Sequence, residues 1–177
     1  MTGHVLAAGA HAFGDGSHPT TRGVLELLAN INPQIFRPHG ALDIGAGSGI
    51  LSFAILEKFG CPVVAVDVEA SAVETINTNV RSNGVMGLTA LRADGFNHPE
   101  IRARSPYDLI TMNILAEPLL KLAHEAEAHL AAQGLLILSG ILLWQEEQIR
   151  EAYRGLGLEL SARVVIGDWV SLAWQKA

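Results

Sequence analysis

Cysteine is almost missing from this 177-residue chain. Cys61 stands alone, so no internal disulfide can form. A single thiol suits a cytoplasmic setting, and its place beside Pro62, ahead of an apolar run, suits a small buried filler. Charge is sparse as well, at 17% of residues, and its balance is acidic, with a formal net charge of −6. No run rich in lysine or arginine occurs, which speaks against a phosphate-tracking surface and direct nucleic-acid binding. The acidic balance can instead steer a basic partner. Long hydrophobic runs are lacking too. The longest, 135–144, is broken by Ser139 and Gly140 and falls far short of the roughly 20 residues of a membrane span. The first residues hold no basic region followed by an apolar core, so no signal peptide is expected. His11, His39, His98, His124 and His129 are scattered. Even His124 and His129, five apart, fall off one helical face, so they read as solvated and no metal is expected.

What the chain has is hydrophobic substance, at 49%, and glycine, with 18 residues. That composition describes a compact globular chain, most naturally one domain. The glycines matter most in Ala41-Leu42-Asp43-Ile44-Gly45-Ala46-Gly47-Ser48-Gly49-Ile50-Leu51. This is a short apolar strand running into a glycine-rich turn and then an apolar helix. Residues without Cβ permit unusual dihedrals and close approach of a ligand to backbone. Open α/β sheets bind ligands at this carboxyl edge, where strand order reverses. About twenty residues on, a second apolar strand ends in Asp67, a carboxylate able to accept both hydroxyls of a ribose. It also suits a cap for the helix that follows. A dinucleotide fold asks for G-x-G-x-x-G. Counting from Gly45 puts Ile50 at the third glycine, and counting from Gly47 puts Ser52 there. A nicotinamide oxidoreductase therefore fails on spacing.

Along the chain, 1–19 reads as a lead-in loop and 20–177 as a single domain. Thr20 and Thr21 are expected to cap a helix to about Asn30, closed by Asn32-Pro33. Strands follow at 41–44, 63–66, 88–91, 107–112 and 135–138. Helices are expected over 50–59, from Ala70 to about Asn83-Gly84, from the turn holding Pro118 to about Ala131, and from about 143 to 156. Residues 94–106, with two prolines and mixed charge, read mostly as loop. Two last strands, 158–166 and 169–174, meet at Gly167-Asp168, a reversed and therefore weaker hairpin signal. Alternating strand and helix predicts an α/β fold with a parallel sheet covered on both faces. The closing hairpin makes the seventh and last strand antiparallel.

The D-x-G-x-G-x-G turn, with Asp43 at the strand end, resembles the first motif of class I S-adenosylmethionine-dependent methyltransferases. Three further segments narrow the resemblance: Ala12-Phe13-Gly14-Asp15-Gly16-Ser17-His18-Pro19-Thr20-Thr21, Asn113-Ile114-Leu115-Ala116-Glu117-Pro118-Leu119, and Leu138-Ser139-Gly140-Ile141-Leu142 followed by Gln145. In this order they closely resemble the catalytic domain of the ribosomal protein L11 methyltransferase family. Ala152-Tyr153 and Asp168-Trp169 match its late pairs. The resemblance runs from about residue 10 to near the end. It implies a seven-stranded doubly wound sheet, S-adenosylmethionine as cofactor and a protein acceptor, ribosomal protein L11.

The resemblance also implies roles. Gly45, Gly47 and Gly49, with Asp43, would form the cradle for the methionine part of the cofactor, and Asp67 would hold the ribose. Asp94 would face the adenine amino group, and Thr21 would reach in from the upstream helix. Asn113 would lie at the methyl-transfer site, where its amide can donate and accept. Phe13 and His18 would belong to a loop over the site. Duller roles stay open: a turn for Asp94, a helix cap for Asn113, a structural place for His18. Two positions depart from the family pattern, with Asp15 for a threonine and Ala46 for a cysteine. The family's separate N-terminal recognition domain is expected to be absent, so the resemblance supports cofactor and reaction class better than acceptor. The leading function is a protein N-methyltransferase acting on lysine or an α-amine. A methyltransferase for a small molecule or another protein, and a cofactor-binding module needing a partner, remain rivals. A base-directed enzyme is disfavoured because Asn113-Ile114-Leu115-Ala116 lacks the N-P-P-[YF] pattern.

Overall fold

The computed structural model describes residues 16–177. Helix α1 (Pro19–Asn30) precedes an alternation of strands and helices: β1 (Ala41–Ile44), α2 (Ile50–Phe59), β2 (Val63–Asp67), α3 (Ala70–Ser82), β3 (Leu88–Arg92), α4 (Pro99–Arg104) and β4 (Tyr107–Asn113). Then come α5 (Ala116–Lys121), α6 (Ala123–His129), β5 (Leu130–Leu142), α7 (Glu146–Arg154), β6 (Leu158–Ile166) and β7 (Trp169–Lys176). The strands form one seven-stranded sheet in the order β3-β2-β1-β4-β5-β7-β6. Neighbours from β3 to β5 pair in parallel, and β7 runs antiparallel between β5 and β6. The expected α/β sheet with an antiparallel last strand is what the chain forms. Among the described residues no helix is long and apolar enough to cross a membrane.

Strand periodicity divides the core in two. Leu42 and Ile44, Ile110 and Met112, and Leu136 and Leu138 face one side, packed with Ile101, Leu119, Ile149 and Tyr153 from the helices there. Ala41, Val63, Leu109 and Ile137 face the other, against Val24, Leu27 and Leu28 of α1 and Ile55 of α2. The register sets Ile44 opposite both Val66 and Met112, and Asn113 opposite Ser139. The carboxyl ends of the central strands therefore finish at one level. The order reverses between β1 and β4, which opens a crevice at that edge.

Several local expectations change. The 94–106 stretch contains α4, because Pro99 is tolerated at a first helical position and the His98 ring accepts from the Glu100 N–H at 3.2 Å. The helix expected to run to about Ala131 breaks at Leu122, whose backbone (φ −91°, ψ 2°) leaves the helical region. Its side chain fills the space beside Gly95. Strand β5 then begins at Leu130 rather than Leu135 and runs to Leu142. Helix α1 is capped by the His18 ring rather than by Thr20 or Thr21, which lie inside the helix and are buried. The stretch expected as one helix over 143–156 is a 3-10 turn, Leu143–Gln145, followed by α7.

One junction holds the carboxyl edge together. The Ile114 side chain occupies the place where a Gly45 Cβ would stand, and the Ile114 backbone occupies the place of a Gly140 Cβ. Both glycines have positive φ, +74° and +82°. Gly157 has φ +77° but open space around it. Gly157→Ala should cost only the backbone strain, about 1–2 kcal/mol. Gly140→Ala adds a clash with backbone that cannot swing away, so the total should reach about 3 kcal/mol or more. Thermal or urea unfolding of the two variants checks the difference.

Candidate functional site

The glycine turn is built by its neighbours. Gly45 and Ala46 N–H groups both donate to the Val66 carbonyl, at 2.8 and 3.0 Å, which folds the turn over the end of β2. Gly49 caps α2 with φ +84°, and a Cβ there would press on Ile76 and Phe53. Asp67 Oδ2 accepts from the Gly47 N–H at 2.8 Å, and its Oδ1 accepts from the Glu69 N–H at 2.9 Å. Asp67 is not the cap of α3, whose N-cap is Glu69; its carboxylate props the glycine turn and the backbone that leads into α3. Each oxygen keeps a second lone pair for a ligand hydroxyl. Asp94 lies one strand over and is exposed. Its neighbour Ala93 donates to the Asp67 carbonyl at 3.0 Å.

Across the crevice, the Asn113 amide Nδ2 donates to Thr21 Oγ1 at 3.4 Å, joining residues 92 apart in sequence. Both sit on the face covered by α1. That face carries a polar seam. Ser139 Oγ donates to the Thr20 carbonyl at 3.0 Å and lies 2.7 Å from Ser171 Oγ. Ser171 occupies the space beside Gly23, which lets α1 sit close to β7. The serine pair thus fixes the backbone one residue before Thr21. The sheet order also brings His18 to the β6–β7 turn, where its ring meets Trp169 edge-on at 5.4 Å. Phe13 and Asp15 lie outside the described residues.

Asp43 takes a different place from the one expected of it. Its carboxylate is 0% exposed, with Oδ2 accepting from Ser52 Oγ at 2.6 Å and Oδ1 from Thr111 Oγ1 at 2.7 Å. Both oxygens accept hydroxyl hydrogen bonds beneath the turn, so Asp43 braces the turn from within the core. Burial pushes its pKa up to about 6, against the opposing pull of the Ser52 and Thr111 hydroxyls. The histidines read as scattered are partly structural as well. His98 caps α4, and His129 lies over Phe96 with ring centroids 4.8 Å apart. Among the described residues no group of three or more His, Cys, Asp or Glu is placed to hold a metal ion.

This geometry can be set beside known proteins. The family model described as ribosomal protein L11 methyltransferase matches residues 5–177. The chain belongs to the ribosomal protein L11 methyltransferase family. A ribosomal protein L11 methyltransferase of Agrobacterium fabrum is 41% identical over 166 residues, covering 93% of this chain and 56% of that protein. One from Rhizobium meliloti is 42% identical over 163 residues, covering 91% and 55%. The chain thus spans a little over half the length of the curated relatives it matches. Among solved structures, a ribosomal protein L11 methylase of Lactobacillus delbrueckii subsp. bulgaricus superposes with a TM-score of 0.80 at 27% identity, covering 94% of this chain and 82% of that one. The N-methyltransferase NodS of Bradyrhizobium japonicum, solved with S-adenosyl-L-homocysteine, superposes at 0.70 with 14% identity, covering 90% and 89%, a likeness of fold. The fold is that of the class I S-adenosylmethionine-dependent methyltransferases.

Within the family pattern, several residues had no role assigned from sequence: Ser52, Thr111, Ser139, Ser171 and Ile114. Thr111 is a polar residue inside an apolar strand, in register with Asp43, and that interruption was the available signal.

Asp43 generates a pH prediction. Its folded pKa of about 6 exceeds the unfolded carboxylate value, so folding takes up a proton between about pH 4 and 6. Its contribution is most favourable below about pH 4 and is lost as pH rises through 6. At ~1.4 kcal/mol per pKa unit the difference approaches about 3 kcal/mol. Asp43→Asn resembles the protonated acid and should flatten this part of the stability profile, as urea unfolding between pH 4 and 7 would reveal. An unchanged slope would mean that Asp43 does not titrate in this range.

Proposed function

We propose that this chain is a methyltransferase that uses S-adenosylmethionine to methylate an amine of a protein, with ribosomal protein L11 as the acceptor. The observation that carries the reading is the placement of Asn113. Its amide is held on Thr21 at the reversal crevice, at the last position of β4, the strand beside β1 and its glycine turn. The residues present suit the cofactor. Gly45, Gly47 and Gly49 all take positive φ, which leaves the turn as bare backbone, and the Asp67 carboxylate that accepts from the Gly47 N–H keeps lone pairs for ligand hydroxyls. In this reading Gly45, Gly47 and Gly49 hold the methionine part, Asp67 the ribose and Asp94 the adenine amino group. Thr21 and Asn113 flank the reacting end, with His18 at its rim beside Trp169. The catalytic unit is the single domain of 20–177, acting in the cytoplasm.

When bound, the cofactor supplies an electrophilic methyl group on a sulfonium with a good leaving group. The chain's own task is then to position an amine. A free lysine amine titrates near pH 10.4, roughly three units above neutral, and a desolvating pocket lowers that value. With Nδ2 turned to Thr21, the Asn113 carbonyl oxygen is left to accept an N–H from the incoming amine and aim its lone pair. Water takes the released proton.

Purified protein incubated with methyl-labelled S-adenosylmethionine and L11 should label L11. Asn113→Ala should lower kcat about 10²-fold or more, the scale of a lost transition-state hydrogen bond in a preorganised site, with the fold intact by thermal melting. Full turnover in Asn113→Ala would contradict its role. Label on another protein or on a small molecule, with L11 blank, would move the acceptor. Cofactor binding without transfer would favour a module that needs a partner.

A further inference from the structure

The edge that holds Asn113 also carries an apolar rim that the methyl-transfer reading does not use. Leu115 is 68% exposed, Leu143 40% and Trp144 77%. These three follow β4 and β5, the adjacent strands whose ends meet at Asn113 and Ser139. The loop after β4 is packed on β5 near its end, since the Ile114 backbone lies against Gly140. Of the other exposed large hydrophobics among the described residues, Val68 follows β2 at the same edge, Val165 lies in β6, and Ile35 and Met86 sit ahead of β1 and β3 at the opposite edge.

The rim stands on fixed backbone. The Leu142 N–H donates to Gln145 Oε1 at 2.9 Å, and the Leu143 N–H donates to the Asp168 carbonyl at 2.9 Å. Glu146, buried at the start of α7, accepts two bonds from Arg163 at 2.7 Å each. Trp144 is therefore a large aromatic held in the open by neighbours that are pinned on both sides. Such a side chain loses little freedom on docking and can anchor a contact.

The charge around the rim chooses the occupant. The segments that carry it, 115–121, 143–150 and the turn at 167–168, hold Glu117, Glu146, Glu147 and Asp168 against Lys121 and Arg150, and Arg163 of β6 adds a third cation against Glu146. All three cations are engaged, Lys121 with Glu117, Arg163 with Glu146, and Arg150 with Glu146 and Glu147, so the surplus is a single negative charge. Asp168 makes no ion pair among the described residues. An apolar surface with surplus negative charge beside a methyl-transfer site suits a basic polypeptide segment and repels a polyphosphate.

We infer that Leu115, Leu143 and Trp144 form the docking surface for the protein acceptor, Trp144 covering an apolar side chain next to the amine that receives the methyl group. This rests on the protein-amine reading above and adds a determinant of acceptor affinity.

The test compares wild type, Trp144→Ala, Trp144→Phe and the opposite-edge control Met86→Ala. Each is assayed for methyl transfer to L11, S-adenosylhomocysteine binding and oligomeric state. Trp144→Ala should raise KM for L11 about tenfold, equivalent to ~1.4 kcal/mol, with kcat and S-adenosylhomocysteine affinity unchanged. Trp144→Phe should recover most of the loss, and Met86→Ala should match wild type. If wild type labels L11 and Trp144→Ala keeps its KM, the rim proposal alone falls. If wild type leaves L11 unlabelled, the acceptor reading falls, and the rim's occupant with it. A wild-type dimer that Trp144→Ala converts to monomer would make a second copy the occupant and overturn the proposal.

Discussion

The carboxyl edge depends on Ile114 being wedged between two glycines. Its side chain fills the space beside Gly45 and its backbone fills the space beside Gly140. Close-packed interiors transmit such constraints because nothing can move alone. The glycine turn after β1, the loop after β4 and the bulged end of β5 therefore hold one another in place. Three motifs separated by up to 95 positions in sequence serve a single packing junction. The crevice between β1 and β4 owes its shape to that junction.

Behind the junction, the sheet face covered by α1 departs from ordinary core chemistry. A face of valine, leucine and isoleucine near the middle of the sheet gives way toward the carboxyl edge to Asp43, Thr111, Asn113, Ser139 and Ser171. Each has a hydrogen-bond partner within the seam or on α1 or α2. Buried polar groups are costly unless satisfied, but a satisfied network fixes geometry more narrowly than apolar packing does. Here the network anchors the first turn of α1, and with it Thr21, to strands β4, β5 and β7. A Cβ at Gly23 would collide with Ser171, so the seam also explains a glycine within a helix.

Much of this was legible in the sequence. Alternating apolar strands and helices, the glycine spacing and the ordered motifs led to the sheet and to the residues around the crevice. What escaped was non-local. Asp43 looked like part of the ligand cradle because its spacing from the glycines matched, yet the register with Thr111 and the position of Ser52 turn it inward. His18 looked like part of a loop over the site, and its capping of α1 and its contact with Trp169 could not be read from local pattern. Ser139 and Gly140 stood out as breaks in an apolar run and as part of a family motif, with no role for either. Their partners lie on other strands and on α1, beyond the reach of local pattern. The break at Leu122 depends on Gly95 and could not be read from helical periodicity.

The central claim is that the crevice bounded by Gly45, Gly47 and Gly49, Asp67 and the Asn113–Thr21 pair receives the cofactor. A crystal structure of the chain grown with saturating S-adenosylhomocysteine tests it most directly. The account predicts one ligand in that crevice, its ribose hydroxyls on the Asp67 carboxylate and its sulfur toward Asn113. Ligand bound elsewhere, or a crevice left empty at saturation, would contradict it.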